Sequence, residues 1–385
     1  MKNYYCFNPV KILFGKGMIS EIDKELKNVK RILLIYGKGS IKKSKCYEQI
    51  IQTLKNKKVF EFSDVSPNPE YNTAVEAIKF GRKHKIEFIL AAGGGSVIDC
   101  AKFVSLQYYS KRKNLWHLME FKCKSPKRIL PFGCIQTCPG SGTESNNALV
   151  ISNYKQKKKN TYYDLKAYPK FSVLDPELTL NLPLEETKVG IADMFIHVLE
   201  QYLTYPAGGI LQDRQAEALL ASIYEYAPKL IKRKNNYHHR AIIMWCGASA
   251  VNGLINRGMP VDWSTHYIGN ILTIIYGITH AKALVVILEA LLNYKFKQKK
   301  EKLYQLGVRI FDLSGTKDSV SKKTISLIMN FFKNMGLKTS LKDFELNPKT
   351  VSKEVLKHID KEGFKKIGEH NDIGLQDISR ILNNC

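Results

Sequence analysis

The sequence lacks several features that would place it in a specialised class of protein. It contains no run of about 18 apolar residues, so we expect no transmembrane helix. The segment from Met1 to Gly15 has no continuous apolar core of the kind a secretory signal requires. Its eight cysteines are scattered and include no Cys-x-x-Cys pair, which argues against a zinc ribbon and a disulfide scaffold. We therefore expect a cytoplasmic protein with reduced thiols and no membrane partner.

Acidic residues are scarce relative to basic ones. The chain has 60 lysines and arginines against 35 aspartates and glutamates, a formal net charge of +25 at pH 7. Such an excess can indicate binding to nucleic acid or to anionic membranes. However, the lysines are spread along the whole chain. Short clusters such as Lys299-Lys300 are not interleaved with stacking aromatics, as an RNA-binding surface would be. We interpret the excess as a solvated, lysine-rich surface and predict no nucleic-acid partner.

The arrangement of apolar residues indicates two domains within the 385 residues. In the first half, short apolar runs alternate with glycine turns and helical stretches, which predicts an α/β domain with a largely parallel sheet. The predicted strands are 31–36, 59–62, 88–92, 129–137 and 171–174. Beyond Asp175-Pro176 the patterns are long and helical, with few strand signals. We predict an α/β domain over residues 1–180 and an all-helical domain over residues 181–385.

A glycine-rich turn follows the predicted strand 88–92. It reads Gly93-Gly94-Gly95-Ser96 and opens a helix, so its backbone could approach a phosphate beside the free N–H groups of the helix N-terminus. Asp99, in the first helical turn, could accept a hydrogen bond from a ribose hydroxyl. Because this is not the Gly-x-Gly-x-x-Gly fingerprint, an ordinary tight turn between strand and helix remains the alternative.

A second turn, Gly37-Lys38-Gly39-Ser40, follows the predicted strand 31–36. In dinucleotide folds, an acid near such a strand end binds the adenosine ribose 2′-hydroxyl and favours NAD. This turn has no acid, whereas Lys38, the Ser40 hydroxyl and the following Lys42 and Lys43 would suit a 2′-phosphate. The turn therefore favours NADP(H), with NAD as the alternative cofactor and a plain polar turn as the alternative interpretation.

One carboxylate and three histidines form a candidate metal-binding set. Asp193 and His197 lie four residues apart in a helical pattern, so both side chains point to one face. His266 and His280 follow far downstream, and together the four suit a divalent first-row metal, Fe²⁺ or Zn²⁺. Spacing alone leaves a bland alternative open, because Asp-x-x-x-His pairs arise by chance and a histidine in an apolar helix is usually a core residue.

The order of these motifs identifies a family. Along nearly its full length, from Tyr5 to Ile373, the chain resembles the iron-containing alcohol dehydrogenases. The motifs that carry the resemblance are Gly37-x-Gly39-Ser40, Gly93-Gly94-Gly95-Ser96-x-x-Asp99, Thr137-Cys138-Pro139-x-x-Gly142-Thr143-Glu144, Val173-Leu174-Asp175-Pro176, Asp193-x-x-x-His197-x-x-Glu200-Gln201-Tyr202, and His266 with His280 fourteen residues later. The Gly-x-Gly-Ser turn and the segment Asp262-Trp263-Ser264-Thr265-His266 resemble the branch of NADPH-dependent aldehyde reductases and butanol dehydrogenases.

The resemblance implies a role for each candidate residue. The implied metal ligands, which are also the implied catalytic residues, are Asp193, His197, His266 and His280. The implied cofactor-binding residues are Gly37, Lys38, Gly39, Ser40, Gly94, Gly95, Ser96, Asp99, Thr137 near the adenosine half, and Lys159 near the nicotinamide ribose. The first domain would bind the dinucleotide and the second the metal, and the two would meet in a cleft. A solvated lysine run remains the alternative interpretation of Lys159.

Three positions depart from the family pattern. Asn270 stands where the family usually has a second histidine, four residues after the third ligand, which is suspected of relaying protons. Asparagine can form hydrogen bonds but cannot titrate, so the proton path is in doubt. Lys38 stands where this branch often has glycine, and Glu289 stands where relatives have proline.

Taken together, the sequence predicts a metal-dependent, NADP(H)-linked alcohol dehydrogenase or aldehyde reductase. Its expected substrates are short- to medium-chain aldehydes and primary alcohols, such as butanal and butanol, and we expect a homodimer or higher homo-oligomer. A lyase or polyol dehydrogenase on the same fold is one rival, which the Asp262–His266 segment argues against. A basic binding protein that has lost activity is another, supported by Asn270 and the net charge.

Overall fold

The structure, a computed structural model, describes residues 1–360, 364 and 366–385, apart from the side chains of Ser40 and Lys43. Two compact units can be distinguished. The first, which we call the sheet unit, consists of Phe7–Thr187 and Lys232–Asn252. The second, the helical unit, consists of Met1–Cys6, Lys188–Ile231 and Gly253–Cys385. Both units are discontinuous along the chain, whereas the predicted domains, 1–180 and 181–385, are continuous. The division of the chain into these two predicted domains stays a prediction.

A six-stranded parallel sheet forms the centre of the sheet unit, in the order β1-β8-β5-β4-β2-β3. Its strands are β1 Lys11–Phe14, β2 Arg31–Gly37, β3 Lys58–Val65, β4 Phe88–Gly94, β5 Phe132–Cys138 and β8 Phe171–Leu174. The predicted parallel sheet is confirmed. Strands β6, Ala148–Asn153, and β7, Lys158–Tyr163, form a separate antiparallel hairpin. Strand β1 and this hairpin were not predicted from the sequence; β7 is mostly polar, which hides the hairpin.

Both faces of the sheet are buried, because alternate residues of a strand point to opposite sides. In β2, Leu33 and Ile35 belong to one apolar cluster, together with residues of the helices on that face. Ile32 and Leu34 belong to the cluster on the other face. The helices of the sheet unit are α1 Ile22–Glu25, α2 Lys45–Thr53, α3 Tyr71–Lys83, α4 Gly95–Gln107 and α7 Tyr237–Ala250. Met244 and Ala248 of α7 share a small cluster with Leu174 of β8, which explains why this helix belongs to the sheet unit.

Beyond residue 180, the described part of the chain contains helices, short turns and one isolated bridge but no strand. The long helices here are α5 Leu184–Tyr202, α6 Ile210–Lys232, α8 Ser264–Tyr276, α9 His280–Tyr294, α10 Phe296–Ile310, α11 Lys317–Asn334, α12 Pro348–Asp360 and α13 Leu375–Asn383. Helices α8, α9, α12 and α13 share an apolar cluster that includes Ile268, Ile287, Val355 and Ile378. Among the described helices, none combines the length and apolar character that crossing a bilayer requires.

Several lysines are buried, which corrects the interpretation of the basic excess as a wholly solvated surface. Lys299, from the cluster taken as exposed, is only 2% exposed, because its ammonium lies 2.7 Å from Asp262 and 3.0 Å from Glu369. Lys102 in α4 is fully buried and donates hydrogen bonds to the carbonyl oxygens of Asn146 and Ala148. Burial lowers the pKa of Lys102 to about 8. A buried ammonium is tolerated only with such partners.

Candidate functional site

Two candidate ligands lie one helical turn apart in α5. Asp193 and His197 are both buried, and Asp193 Oδ1 lies 3.9 Å from His197 Nδ1. The helix holds them on one face because residues four apart are neighbours on its surface. Local structure alone therefore brings together half of the predicted set.

The other two candidates come from α8 and α9. His266 lies in the first turn of α8, and His280 is the first residue of α9. Gly277 ends α8 with φ +70°, a conformation that glycine adopts at little cost and that lets the chain turn into α9. The His266 ring stacks on His197 with centroids 4.6 Å apart, and its centroid is 5.2 Å from that of His280.

Three of the four side chains form a group that fits a divalent metal, and His197 lies beside this group without being part of it. One ligating atom from each of Asp193, His266 and His280 lies within 4.8 Å of the others, and His197 packs directly against two of them. Asp193 Oδ1 is buried and accepts no hydrogen bond from the described residues. A buried carboxylate oxygen without a partner costs several kcal/mol unless a cation offsets its charge. Imidazole and carboxylate donors are the set that Fe²⁺ and Zn²⁺ take.

A buried glutamate lies behind His266. Glu200 is 5% exposed, and its Oε1 accepts hydrogen bonds from the backbone N–H groups of Thr265, at 2.8 Å, and His266, at 3.3 Å. Its Oε2 is in hydrogen-bonding contact with His266 Nδ1. Burial and the nearby Asp262 raise the pKa of Glu200. Glu200 was not among the predicted site residues and appeared only within a motif. Its spacing of seven residues from Asp193 nevertheless places it on the same helix face.

A buried ion network continues from the first turn of α8. Asp262 Oδ1 accepts from the Ser264 N–H at 2.9 Å, and Asp262 Oδ2 lies 2.7 Å from Lys299 Nζ. Burial opposes ionisation of Asp262, but the Lys299 ammonium outweighs it and lowers the pKa to about 2. Burial raises the pKa of Glu369, the second carboxylate on this lysine, to about 7. The network thus fixes the chain immediately before His266.

Asn270 lies one helical turn beyond His266 in α8. Its carboxamide oxygen is buried and accepts no hydrogen bond from the described residues. Trp263 presents its ring edge-on to His197 and His266, at centroid distances of 6.2 and 5.2 Å. Glu289, another of the three departures, lies inside α9, where proline would remove a helix hydrogen bond. We find no functional reason for Glu289.

In the sheet unit, Asn68 connects two of the predicted cofactor-binding residues. Its N–H donates to Ser96 Oγ at 3.1 Å, and its Oδ1 accepts from Lys159 Nζ at 3.0 Å. Lys159 is in β7, opposite Ser152, and is partly buried rather than part of a fully solvated run. Asn68 was not among the predicted site residues. Its only indication in the sequence is its position in the turn Ser66-Pro67-Asn68-Pro69.

The glycine-rich turn is shorter than expected, because β4 ends at Gly94 and α4 begins at Gly95. A side chain at Gly95 would force Ser141 to move, since its Cβ would lie 2.3 Å from Ser141 Oγ. Asp99 accepts from Thr143 Oγ1 at 2.6 Å and from the Val150 N–H at 3.0 Å. Burial raises the pKa of Asp99 to about 6. Asp99 therefore ties α4 to the loop after β5 and to β6; its contact with a ribose stays a prediction, as does that of the partly exposed Thr137 in β5.

At the end of β2, a carboxylate from the neighbouring strand β3 lies close to the second turn. The ammonium of Lys42, which was expected to suit a phosphate, lies 3.1 Å from Glu61 of β3. The hydroxyl groups of Tyr36 and Tyr47 each donate to the same carboxylate at 2.6 Å. Glu61 is on the neighbouring strand, opposite Leu34, so the local sequence gave no sign of it.

The turn itself contains an exposed lysine and a strained glycine position. Lys38 is exposed, and Gly39 has φ +92°, which L side chains rarely adopt. Gly37 is the last residue of β2, and a 3₁₀ turn spans Ser40–Lys43. The predicted roles of the Ser40 and Lys43 side chains lie outside the described residues. Of the two lysines in this turn whose side chains the structure describes, Lys42 pairs with Glu61 and Lys38 does not.

Comparison with known families matches both halves of the chain. A sequence model described as iron-containing alcohol dehydrogenase matches residues 9–176. A second, described as the C-terminal region of the Fe-containing alcohol dehydrogenase family, matches residues 187–384.

Curated relatives and solved structures match over nearly the whole chain. The NADPH-dependent aldehyde reductase YqhD of Escherichia coli is 38% identical over 384 residues, 99% of each chain. A probable NADH-dependent butanol dehydrogenase of Bacillus subtilis is 34% identical over 391 residues, again 99% of each. The crystal structure of Escherichia coli YqhD covers 100% of this chain and 99% of its own, with a TM-score of 0.97 and 37% identity. That of an NADH-dependent butanol dehydrogenase from Thermotoga maritima covers 99% and 98%, with a TM-score of 0.93 and 30% identity.

Removing one candidate ligand tests the metal centre. His280→Ala should lower the affinity for Zn²⁺ about a hundredfold or more, since a complete structural zinc site is worth roughly 10–16 kcal/mol and one of four ligands several of these. Elemental analysis after dialysis against a chelator measures the retained metal. His358→Ala on α12 is the matched control and should retain the wild-type metal content. Equal metal content in His280→Ala and wild type would contradict this assignment.

Proposed function

The chain belongs to the iron-containing alcohol dehydrogenase family, which confirms the resemblance seen in its motifs, and from this premise we propose its reaction. The protein reduces short- to medium-chain aldehydes such as butanal, and oxidises the corresponding primary alcohols, with NADP(H) and a divalent metal, Fe²⁺ or Zn²⁺. The observation that carries the proposal is the cluster of Asp193, His266 and His280, whose Asp193 oxygen is buried and lacks a hydrogen-bond donor among the described residues. His197 lies against Asp193 and His266 and is proposed as the fourth ligand.

The residue types of the cluster suit carbonyl chemistry. When bound, the metal supplies Lewis-acid polarisation of the substrate oxygen, and NADPH supplies the hydride. Asp193 is the single negative charge among the four ligands, and neutral imidazoles add none. One carboxylate offsets only part of a +2 charge, so the site keeps a positive field for the negative charge that develops on the substrate oxygen.

The proton must come from a group other than residue 270. The Asn270 carboxamide can donate a hydrogen bond to a substrate oxygen, but it cannot release a proton at neutral pH. The Thr265 hydroxyl, another candidate, is fully buried and has no hydrogen-bond partner among the described residues. Solvent water is therefore the proton source that this part of the proposal favours.

The cofactor preference rests on the turn after β2. The turn carries no acid of its own, and Lys38 is exposed beside Gly39. Glu61 weakens the case, since it pairs with Lys42. The relatives carry names of both kinds, NADPH-dependent in one and NADH-dependent in others. We propose NADP(H), with NAD as the alternative. The cytoplasmic location and the homodimer or higher oligomer stay predictions from the sequence.

A rate measurement with both cofactors tests the proposed reaction. We expect metal-replete protein to oxidise NADPH in the presence of aldehydes from acetaldehyde to octanal, with a higher kcat/KM for NADPH than for NADH. Protein stripped of metal should lose this activity and regain it on addition of Zn²⁺ or Fe²⁺. If metal-replete protein oxidises neither cofactor with any aldehyde, the inactive basic paralogue becomes the better interpretation.

Gly39→Asp tests the basis of the cofactor preference. The carboxylate would repel a 2′-phosphate, so kcat/KM with NADPH should fall about ten- to a hundredfold relative to Gly39→Asn, on the scale of a charge-assisted hydrogen bond. Asparagine is the matched control because it has the same size and must adopt the same left-handed backbone, φ +92°, without the charge. Identical cofactor ratios in the two variants, or equal kcat/KM for both cofactors in the wild type, would count against the proposal.

Asn270→His tests the missing proton relay. The new imidazole should raise the rate of aldehyde reduction at neutral pH, because a general acid typically contributes about 10²–10⁴-fold. Since imidazolium is the donor, the added rate should be lost as pH rises through about 6–7. Asn270→Gln is the control, with a carboxamide that cannot titrate. If Asn270→His changes neither the rate nor the pH profile, position 270 does not relay protons.

A further inference from the structure

We propose that Glu200 is a positioning residue that prepares His266 to bind the metal, an inference that rests on the proposed metal centre. The carboxylate acts on His266 in two ways: it holds the backbone from which the ring projects, and it decides which ring nitrogen carries the proton. Glu200 itself is not a metal ligand in this assignment.

Glu200 holds the backbone of His266 at the first turn of α8. The first N–H groups of a helix have no partner within the helix, and carboxylates are favoured there by the helix dipole. Asp262 accepts from the N–H of Ser264, and Glu200 accepts from those of Thr265 and His266. Glu200 comes from α5, the helix of Asp193 and His197, so one carboxylate fixes the α8 ligand relative to the α5 ligands.

Glu200 also contacts the His266 ring, at the nitrogen Nδ1. Burial raises the pKa of Glu200, but the two backbone N–H donors favour its ionised form. In that form the carboxylate can only accept hydrogen bonds, so its contact with Nδ1 places the ring proton on Nδ1. The lone pair is then on Nε2, and a metal ion binds only a nitrogen with a lone pair. A carboxylate behind a metal-binding histidine fixes the tautomer and makes the other nitrogen a better ligand.

The surroundings of Glu200 point to a cation on the far side of the ring. Within the described part of the chain, the donors to its carboxylate are two backbone N–H groups and one imidazole. By contrast, the neighbouring Asp262 has the Lys299 ammonium at 2.7 Å. A buried carboxylate that lacks a lysine or arginine partner is stabilised when a cation binds through the imidazole. This distinguishes Glu200 from carboxylates that serve the fold alone.

Glu200→Gln separates positioning from packing because it preserves the shape. The glutamine oxygen can still accept from the two backbone N–H groups, but its NH₂ group then faces Nδ1 of His266. Nδ1 must accept, the proton moves to Nε2, and the metal-binding nitrogen is blocked. We expect Zn²⁺ affinity, measured by competition with a colorimetric chelator, to fall about 10–100-fold. In ¹⁵N spectra of the metal-free full-length chain, His266 should change from the Nδ1–H to the Nε2–H tautomer.

Glu217→Gln is the matched control. Glu217 is also buried in the helical unit, at 3% exposure, and its carboxylate accepts from Tyr202, Gln305 and Arg309 rather than from a candidate ligand. Its substitution should lower the thermal midpoint while Zn²⁺ affinity and the His266 tautomer stay as in wild type. A purely structural role for Glu200 would give the same result in both variants.

The readouts separate failure of this inference from failure of the proposed function. If wild type binds Zn²⁺ tightly and Glu200→Gln binds it equally, with the same tautomer, the inference is wrong while the metal centre stands. If neither wild type nor His280→Ala binds Zn²⁺, the proposed metal centre is wrong. The wild-type spectrum decides even if Glu200→Gln fails to fold, since an Nε2–H tautomer of His266 in wild type overturns the inference by itself.

Discussion

The cost of burying carboxylates organises the helical unit, because a buried negative charge must be offset by donors or by a cation. The structure solves this problem in two ways. Asp262 and Glu369 share the Lys299 ammonium, and Glu217 is held by Arg309. Asp193 and Glu200 have imidazoles and backbone N–H groups as neighbours instead. The carboxylates of the first group are each offset by a cationic side chain, and the second group is the one whose charge a bound cation would offset.

In the sheet unit, the N-terminus of α4 is packed closely against the loop after β5. A Cβ at Gly95 would lie 2.3 Å from Ser141 Oγ, so Ser141 would have to move to admit a side chain there. Asp99 and the fully buried Lys102 then fasten α4 to the same region, since both bond to Thr143, at 2.6 and 2.7 Å. A glycine-rich turn that is fixed in this way presents the N-terminus of α4 in one conformation, and a preorganised N-terminus is what phosphate binding requires.

The contacts that were not predicted from the sequence share one physical origin. Lys299 was interpreted as a surface lysine because its partner carboxylates, at positions 262 and 369, are far away in sequence. The pairing of Lys42 with Glu61 was not foreseen, because Glu61 is on the adjacent strand. Strand β1 was not predicted, and its partner in the sheet, β8, lies more than 150 residues later in the chain. Composition describes the charges of a chain but not which of them meet.

The sequence by itself determined what depends on local geometry or on residue type. The spacing of Asp193 and His197 places both on one helix face, apolar runs flanked by glycine turns predict the parallel sheet, and imidazole and carboxylate groups define a metal-binding chemistry. Only the tertiary structure decided which groups act together: Glu200 with His266, Asn68 with Lys159, and Glu61 with Lys42. These contacts are set by strand register and helix packing, which bring residues from separate elements within a few ångströms, and such distances are fixed by the folded chain as a whole rather than by any local pattern.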